Sequence, residues 1–310
     1  MEGPGAGNPR AVEGCMFMGG LSYAAPRSLD ETLAILAERG ADTSILAGGM
    51  VLVAALKQGS LKARQILNIK GIGTPPAPVL DGEVLTIGAL VCHRRVETDD
   101  VVGERLPALR ELERDSASLQ IRNCGTLIGN LCAAEPWTDF PCLMAAVGAR
   151  LGLTNAKGSR EIAVEDWVTG SAAAGRRPEE LVVRLEIALP KAGEGIGHAR
   201  LTLRQGLAPP VACAAARVSL SDTGHVASAR IFVGAIGPRP QRMPGVEAMI
   251  LGAAVASATP QDINATVSRD VETLADSRCS TAYKKQIAGV LVRRAIADAL
   301  ADAKRRSARP

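Results

Sequence analysis

The sequence predicts an α+β chain of two parts that meet near residue 193. In the first part, a strand, a glycine turn, a helix and a second strand follow one another as in a βαβ unit. In the second part, three strand-like segments come first and helical segments follow. Strands followed by helices are typical of a separate α+β domain with an antiparallel sheet. The 310 residues are enough for two domains.

The composition excludes two classes of partner. Apolar residues make up 47% of the chain but aromatic residues only 2%, so the core must be built from Ala, Val, Leu and Ile. Few aromatic rings are available to stack on nucleic-acid bases, and the net charge is only +4. No apolar run approaches the ~20 residues that a membrane span requires. We therefore expect no nucleic-acid partner and no membrane span.

The ends of the chain and its cysteines indicate a cytoplasmic protein. Residues 1–15 are rich in glycine and proline and lack a signal-peptide pattern, so a disordered leader is expected there. Residues 304–310 form a basic segment that we expect to be a solvated tail. The seven cysteines lack the spacing of a zinc ribbon or a disulfide scaffold. Reduced thiols in the cytoplasm are the expectation.

The first elements surround a glycine turn. A capping-box pattern from Ser28 to Glu31 predicts a helix that ends at Gly40. A strand over residues 43–46 then leads through Gly48 and Gly49 into a helix over residues 50–57, and residues 65–69 are the next strand. Free N–H groups at a helix start favour a phosphate, and glycine permits close approach. Two glycines alone also fit a plain tight turn, so both interpretations stay open.

Further elements of the first half follow from local signals. Asp81-Gly82 predicts a hairpin turn, and residues 150–154 and 181–189 predict strands. Thr98 is a candidate cap for a helix through Leu112 that Pro107 would kink.

Residues 119–142 are the most unusual stretch of the sequence. They hold two glycines, two asparagines and two prolines among apolar residues, with no helical or strand period. Irregular, partly buried backbone must satisfy its polar groups, and a ligand rich in oxygen is one way. Asp139 could accept a hydrogen bond from such a ligand or cap the helix that starts at Phe140. Three cysteines of this stretch are too widely spaced for a typical iron–sulfur cluster, which favours small core or loop residues. These are Cys124, Cys132 and Cys142.

The second half predicts strands over residues 200–205, 211–219 and 225–234, the last two joined at residues 221–224. Helices are predicted over residues 246–251, 260–274 and 281–304. The three histidines are isolated in sequence, so we expect them at the surface or in supporting positions. They are His93, His198 and His225.

Five short motifs occur in one order along the chain. They are Ala47-Gly48-Gly49, Ile87-Gly88-Ala89, residues 121–131, Asp139-Phe140-Pro141 and residues 234–242. Together they resemble the FAD-binding medium subunits of the molybdenum hydroxylases. The resemblance spans about residues 16–303, and the start of the last helix, at residues 281–285, adds to it.

The resemblance implies a fold and a cofactor. The fold is a vanillyl-alcohol-oxidase (PCMH)-type FAD-binding domain of two α/β lobes over residues 16–192, followed by a C-terminal domain over residues 197–303. The resemblance also implies which residues contact FAD. The pyrophosphate loop would be Ala47, Gly48, Gly49, Met50, Val51 and Leu52, and a second phosphate and ribityl contact would come from Thr126, Gly129 and Asn130. Asp139 would contact the adenosine side, Val182 the ring system and Arg200 the reactive end of the flavin.

The sequence departs from the family pattern at several positions. Ile128 stands where the family has glycine, and if that glycine has a positive φ, isoleucine predicts a reshaped loop or weaker FAD binding. Cys92 replaces a frequent threonine, and Arg200 replaces a lysine. The segment between Asn130 and Asp139 is too short for the four-cysteine insertion of one branch of the family, so no cluster is expected in this chain.

The resemblance also implies partners. The chain would pass electrons from [2Fe-2S] clusters of a small subunit to an external acceptor, while a large molybdopterin-binding subunit hydroxylates the substrate. A dimer of heterotrimers is the expected assembly. Two alternatives stay open. One is a scaffold subunit that has lost FAD, which the departure at Ile128 would explain, and the other is a stand-alone flavin oxidoreductase.

Overall fold

Three β-sheets position the other elements of the chain. The computed structural model describes residues 20–61, 63–73, 77–170, 175–204, 208–257 and 262–308. The leader predicted over residues 1–15 lies outside these ranges. The α+β class predicted from the sequence is confirmed, with a parallel sheet, two antiparallel sheets and helices packed on them.

The first lobe is a small parallel sheet with strand order β1-β3-β2. The predicted βαβ unit is confirmed, because β2, α2 and β3 follow one another and the two strands pair in parallel. Ser28 caps α1 as predicted, although Glu31 accepts from the N–H of Arg27 rather than from that of Ser28. The elements are β1 Ser22–Ala24, α1 Leu29–Arg39, β2 Thr43–Leu46, α2 Met50–Lys57 and β3 Gln65–Asn68.

The second lobe is a five-stranded antiparallel sheet with strand order β4-β5-β8-β6-β7. The hairpin predicted at Asp81-Gly82 joins its first two strands, and Gly82 has a φ of 55°. The strands are β4 Val79–Asp81, β5 Val84–Gly88, β6 Arg150–Asn155, β7 Gly158–Ala163 and β8 Leu181–Ala188. The helices are α3 His93–Glu97, α4 Asp100–Arg105, α5 Pro107–Asp115, α6 Leu119–Cys124, α7 Leu127–Ala133, α8 Phe140–Val147 and α9 Val164–Thr169.

The helical region before residue 116 differs from the prediction. Asp99, not Thr98, caps the helix that follows, through the N–H of Val102. Pro107 does not kink one long helix but begins α5, where its missing N–H costs nothing.

The unusual stretch of residues 119–142 is helical rather than irregular. It contains α6, α7 and the start of α8, and Ser118 and Thr126 cap the first two of these helices. Because α6 and α7 have only six and seven residues, neither shows two full turns of apolar period. That is why the sequence pattern does not reveal them, and α9, also of six residues, is missed for the same reason. The strand β7 was missed as well, since its sequence GSREIA has one long apolar side chain and lacks a clear alternation.

The C-terminal part has a sheet of strand order β12-β11-β10-β9, with helices packed on one face. The first strand was predicted over residues 200–205 but covers Glu194–Leu201, so it begins inside the break expected between the two domains. The strands are β9 Glu194–Leu201, β10 Ala212–Leu220, β11 Val226–Gly234 and β12 Gln241–Arg242. The helices are α10 Pro244–Ile250, α11 Asp262–Asp270 and α12 Thr281–Ser307.

Glycines in β9 explain that error. Gly195 and Gly197 resemble a linker in the sequence, but in the structure they lie under α12. A Cβ atom at either position would overlap a main-chain carbonyl of α12, of Ala299 or Ala295 respectively. The glycines therefore permit close helix–strand packing rather than a flexible connection.

Both faces of this sheet are buried. Alternate residues of β10 point to opposite sides, so Cys213 and Ala215 join the core of the second lobe, whereas Ala214 and Ala216 pack under the helices. Arg217 and Arg230 also donate to the carbonyl oxygens of Val147 and Ala145 at the end of α8. The first contact satisfies a carbonyl at the end of the helix, and the second adds a donor to the carbonyl of Ala145, which also accepts from the N–H of Gly148.

The last helix reaches into the segment predicted to be a solvated tail. It ends at Ser307, and Arg306 donates to Asp302 and to the carbonyl oxygen of Arg105 in the second lobe. Asp302 in turn accepts from the N–H of Ile196. Residues 304–307 are therefore helical and anchored in part, because the basic side chains find partners.

None of the helices in the described ranges combines the length and the apolar character that crossing a bilayer requires.

We predict that Gly197→Ala destabilises the chain by about 1–3 kcal/mol, because the new methyl group overlaps the backbone of α12. Chemical denaturation measures the change in free energy of unfolding. Ala227→Val is the matched control, since it enlarges an exposed small residue on β11. Equal stability of Gly197→Ala and the parent chain would contradict the packing described here.

Candidate functional site

The two glycine segments singled out in the sequence contact each other directly. A Cβ atom at Gly48 would overlap the carbonyl oxygen of Cys124 and lie 2.8 Å from the Cα of Gly125 and 3.0 Å from the N of Thr126. Only glycine leaves room for this approach, which joins the turn before α2 to the loop before α7.

The start of α2 presents free donors beside this contact. Gly49 is the N-cap residue with a φ of 78°, a backbone conformation that favours glycine. Because glycine has no side chain to cap the helix, the N–H groups of Met50 and Val51 lack both intrahelical and side-chain partners. Such a helix end, with its dipole, is suited to an anionic ligand.

The loop before α7 is held from both sides. Thr126 pairs with Cys92 in an isolated bridge, and the N–H of Leu127 donates to the carbonyl oxygen of Val91. The Thr126 hydroxyl accepts from the N–H of Gly129 at 3.1 Å. The loop is therefore fixed to the end of the five-stranded sheet.

These segments border a cavity of about 940 Å³ that is mostly apolar. Its volume lies in the range of pockets that bind whole cofactors. Ten of the twelve binding residues expected from the sequence line it: Ala47, Gly48, Gly49, Met50, Val51, Leu52, Thr126, Gly129, Asn130 and Val182.

One buried polar atom in the lining fits a ligand directly. The Oδ1 atom of Asn130 is buried and finds no hydrogen-bond partner among the described residues. A buried amide oxygen without a partner is costly, and a hydroxyl group of a bound ligand would satisfy it. Free N–H groups at one point and an acceptor at another suit a molecule that carries both phosphate and hydroxyl groups.

Asp139 and Arg200 are not among the residues that line the cavity. They pair with each other, with 2.9 Å between Oδ2 and Nη1, and both are largely buried. The angles at these two atoms fall outside hydrogen-bond geometry, so the contact is an ion pair. Asp139 occupies the N-cap position of α8, as the alternative interpretation expected, but its side chain makes no capping hydrogen bond there.

Ile128 does not have the backbone strain that the family pattern suggested. It lies in the first turn of α7, and it is not one of the residues with a positive φ. Its side chain is 4% exposed and contributes to the core as well as to the cavity wall. Isoleucine is therefore accommodated without a positive φ, because the segment continues as a helix.

The sequence analysis expected His93 at the surface or in a supporting position, but no contact with a ligand; in the structure it lines the cavity and is largely buried. Its Nδ1 lies 2.6 Å from Oε2 of the fully buried Glu113 on α5. Burial lowers the pKa of His93, but the charge and hydrogen bond of Glu113 and the charge of Asp139 outweigh it, so the pKa is raised. One sequence signal for His93 was available. It lies four residues after Ala89, whose motif ends the strand that leads to the cavity.

Other lining residues also come from unexpected places. Trp167 of α9 lines the cavity, and its Nε1 donates to the carbonyl oxygen of Leu131 at 3.0 Å. Arg176, just before β8, brings a positive charge to the wall. Both depend on long-range folding, so no local pattern marks them.

The cysteines divide into two groups. Cys142 and Cys213 are fully buried in the core, whereas Cys124 and Cys132 are exposed. All six cysteines within the described ranges are free thiols.

Two protein families match the chain, one over each of its two parts. The family described as the FAD binding domain in molybdopterin dehydrogenase matches residues 17–192, and the CO dehydrogenase flavoprotein C-terminal domain matches residues 199–299.

Individual relatives match along almost their full length. The chain is 30% identical to the caffeine dehydrogenase subunit beta of Pseudomonas sp. (strain CBB1), over 89% of this chain and 94% of that protein. It is 29% identical to the carbon monoxide dehydrogenase medium chain of Afipia carboxidovorans, over 93% of this chain and 100% of that one. In a solved structure of quinoline 2-oxidoreductase from Pseudomonas putida 86, the matching chain superposes with a TM-score of 0.81 at 26% identity, covering 93% of this chain and 99% of that one.

We predict that Gly48→Ala lowers stability more than Gly129→Ala does. At Gly48 the added methyl group overlaps rigid backbone, whereas at Gly129 it approaches only the Thr126 hydroxyl, at 2.6 Å. We expect a loss of about 1–3 kcal/mol for the first variant and about 1 kcal/mol, the value of a helix cap, for the second. Denaturation of both proteins in the absence of added ligand measures the difference. The reverse order of stability would mean that the two segments are not held by this contact.

Proposed function

Because the chain belongs to the family of FAD-binding subunits of the molybdopterin dehydrogenases, we propose that it is the FAD-bearing electron-transfer subunit of a heteromeric molybdenum hydroxylase. It is an oxidoreductase subunit, like the dehydrogenase subunits that it resembles. The single observation that carries the proposal is the contact of Gly48 with the loop at residues 124–126, beside a cavity with free helix N–H groups.

The cavity fits FAD in its chemistry. The pyrophosphate would be held by the N–H groups at the start of α2, where the helix dipole also favours negative charge. Asn130 would accept a hydrogen bond from a hydroxyl group of the cofactor, which satisfies its buried Oδ1. Val182 and the apolar lining around it would exclude water from the ring system. When bound, FAD supplies the two-electron and one-electron redox chemistry that side chains lack.

In their paired state, Asp139 and Arg200 have a structural role in this proposal rather than a direct contact with FAD. As partners in a buried ion pair, they join the start of α8 to β9 of the C-terminal part. We keep their direct contacts with FAD as a prediction, which requires the pair to open. Without such an opening, the pair fixes the orientation of the C-terminal sheet against the second lobe.

The electron route is proposed by analogy with the named relatives, which are medium chains or subunits of larger enzymes. Electrons would come from [2Fe-2S] clusters in a small subunit and pass to an external acceptor. A large subunit with the molybdopterin cofactor would hydroxylate the substrate. The dimer of heterotrimers, the cytoplasmic location and the domain limits of 16–192 and 197–303 belong to the same proposal.

A second candidate function is a scaffold subunit without FAD. The observation that favours it is the Ile128 side chain in the cavity wall, where the family has a smaller residue. The helical backbone at Ile128 removes the strain argument, so only the bulk of the side chain remains. A stand-alone oxidoreductase would also need a substrate site. The described residues that line the cavity form no second site of that kind, so the cavity does not support this function.

We predict about one releasable FAD per chain in the purified complex. The Ile128→Ala variant should release the same amount of FAD per chain as the parent. The variant removes the bulk of Ile128 but should cost about 2–4 kcal/mol, because the side chain is buried in the core. Absorbance after acid release measures FAD, and thermal denaturation measures stability. A flavin-free parent complex that acquires FAD through Ile128→Ala would support the scaffold interpretation instead.

A further inference from the structure

His93 and Glu113 form a buried pair at the wall of the cavity. Glu113 is fully buried, and its Oε1 atom finds no hydrogen-bond partner among the described residues. A buried carboxylate with one unsatisfied oxygen is costly unless a positive charge lies beside it. The Nδ1 atom of His93, 2.6 Å from Oε2 of Glu113, places in that position an imidazole ring that can carry the charge.

The pair lies directly behind the phosphate-binding end of the cavity. A Cβ atom built on Gly125 would lie 3.3 Å from Cδ2 of His93 and 3.5 Å from Cγ of Met50. Gly125 in turn packs against Gly48, and its carbonyl oxygen accepts from the N–H of His93 at 3.0 Å. The main chain of His93 is therefore hydrogen-bonded to the loop that forms the cradle with α2, and its ring packs beside Gly125 of that loop.

The two ring nitrogens have separate roles. Nδ1 is taken by Glu113, which leaves Nε2, next to Cδ2 in the ring, as the nitrogen available to a ligand. His93 is also among the residues that line the cavity. Phe140 packs edge-on against the ring, with 6.2 Å between the ring centroids, and fixes its orientation.

The charges around the ring favour its protonated form. Glu113 on α5 is in contact with it, and the carboxylate of Asp139, before α8, adds to the effect. Arg122 on α6 acts in the opposite direction, but Glu97 on α3 pairs with Arg122 at 2.9 Å. Asp139 is itself paired with Arg200. The net effect is a raised pKa, despite the burial that lowers it, so the imidazolium persists to higher pH than that of an ordinary histidine and is lost as the pH rises through the raised value.

We propose that protonated His93, held by Glu113, is a binding residue for the FAD pyrophosphate and makes the affinity of the chain for FAD pH-dependent. The inference rests on the proposed function, since it assigns a cation to the same cradle. It adds a side-chain donor to a site otherwise built from backbone N–H groups. A purely structural ion pair would stabilise the fold without distinguishing between ligands with and without phosphate.

The test uses the full chain freed of flavin and measures dissociation constants for FAD and for riboflavin, which lacks phosphate, between pH 6 and 9. In the parent chain, FAD binding should weaken as the pH rises, while riboflavin binding stays constant. This measurement needs no variant.

Two variants and a control assign the effect to the pair. His93→Gln should weaken FAD binding about tenfold at pH 7, remove its pH dependence and leave riboflavin binding unchanged. Glu113→Gln should move the midpoint of the pH dependence to lower pH, because the neutral amide no longer supports the imidazolium. His225→Gln is the matched control, since His225 is exposed in the turn between β10 and β11, and it should bind FAD like the parent chain.

Three results would overturn the inference. The first is FAD binding by the parent chain that does not vary with pH. The second is an equal loss of FAD and riboflavin binding in His93→Gln, which means that the residue only supports the fold. The third is a parent chain that binds no FAD at any pH, and this result alone also rejects the proposed function.

Discussion

The contact between Gly48 and the backbone of residues 124–126 is the constraint on which the site depends. Gly48 belongs to the parallel lobe, whereas the 124–126 loop is bound to the antiparallel lobe through Val91 and Cys92. The two lobes therefore meet here backbone to backbone, with no side chain between them. Helix α2 begins at this point, so its free N–H groups face the space between the lobes.

A similar principle positions the C-terminal part. Gly195 and Gly197 let α12 approach β9 closely, and Asp302 ties the same helix to the N–H of Ile196. Arg306 then reaches the carbonyl oxygen of Arg105 in the second lobe. Glycine, which has no Cβ atom, permits each close approach of two backbones. A few hydrogen bonds then fix the orientation of the packed elements.

Much of the fold was predictable, and the failures lie where an element is short or where its structure depends on packing with distant residues. The helix Met50–Lys57 and the strand Thr43–Leu46 have the expected bounds, since an apolar run and a glycine turn are local signals. Helices α6 and α7 were missed because their stability comes from capping by Ser118 and Thr126 and from packing, not from a long amphipathic period.

Most of the candidate site, like most of the fold, was predicted from the sequence. Ten expected residues line the cavity because the motif residues lie in the two segments that meet there. His93 was not assigned, since its role depends on Glu113, twenty positions away, and on the fold that brings the two together. Asp139 and Arg200 were assigned separately, and their mutual pairing depends on how the C-terminal sheet packs on α8.

The measurement that tests the central claim most directly is a crystal structure of the chain with FAD bound. The account predicts that pyrophosphate oxygens lie within hydrogen-bond distance, about 2.7–3.2 Å, of the N–H groups of Met50 or Val51, with Gly48 still packed against the 124–126 loop. A flavin bound elsewhere, or a pyrophosphate held only by side chains away from α2, would contradict it.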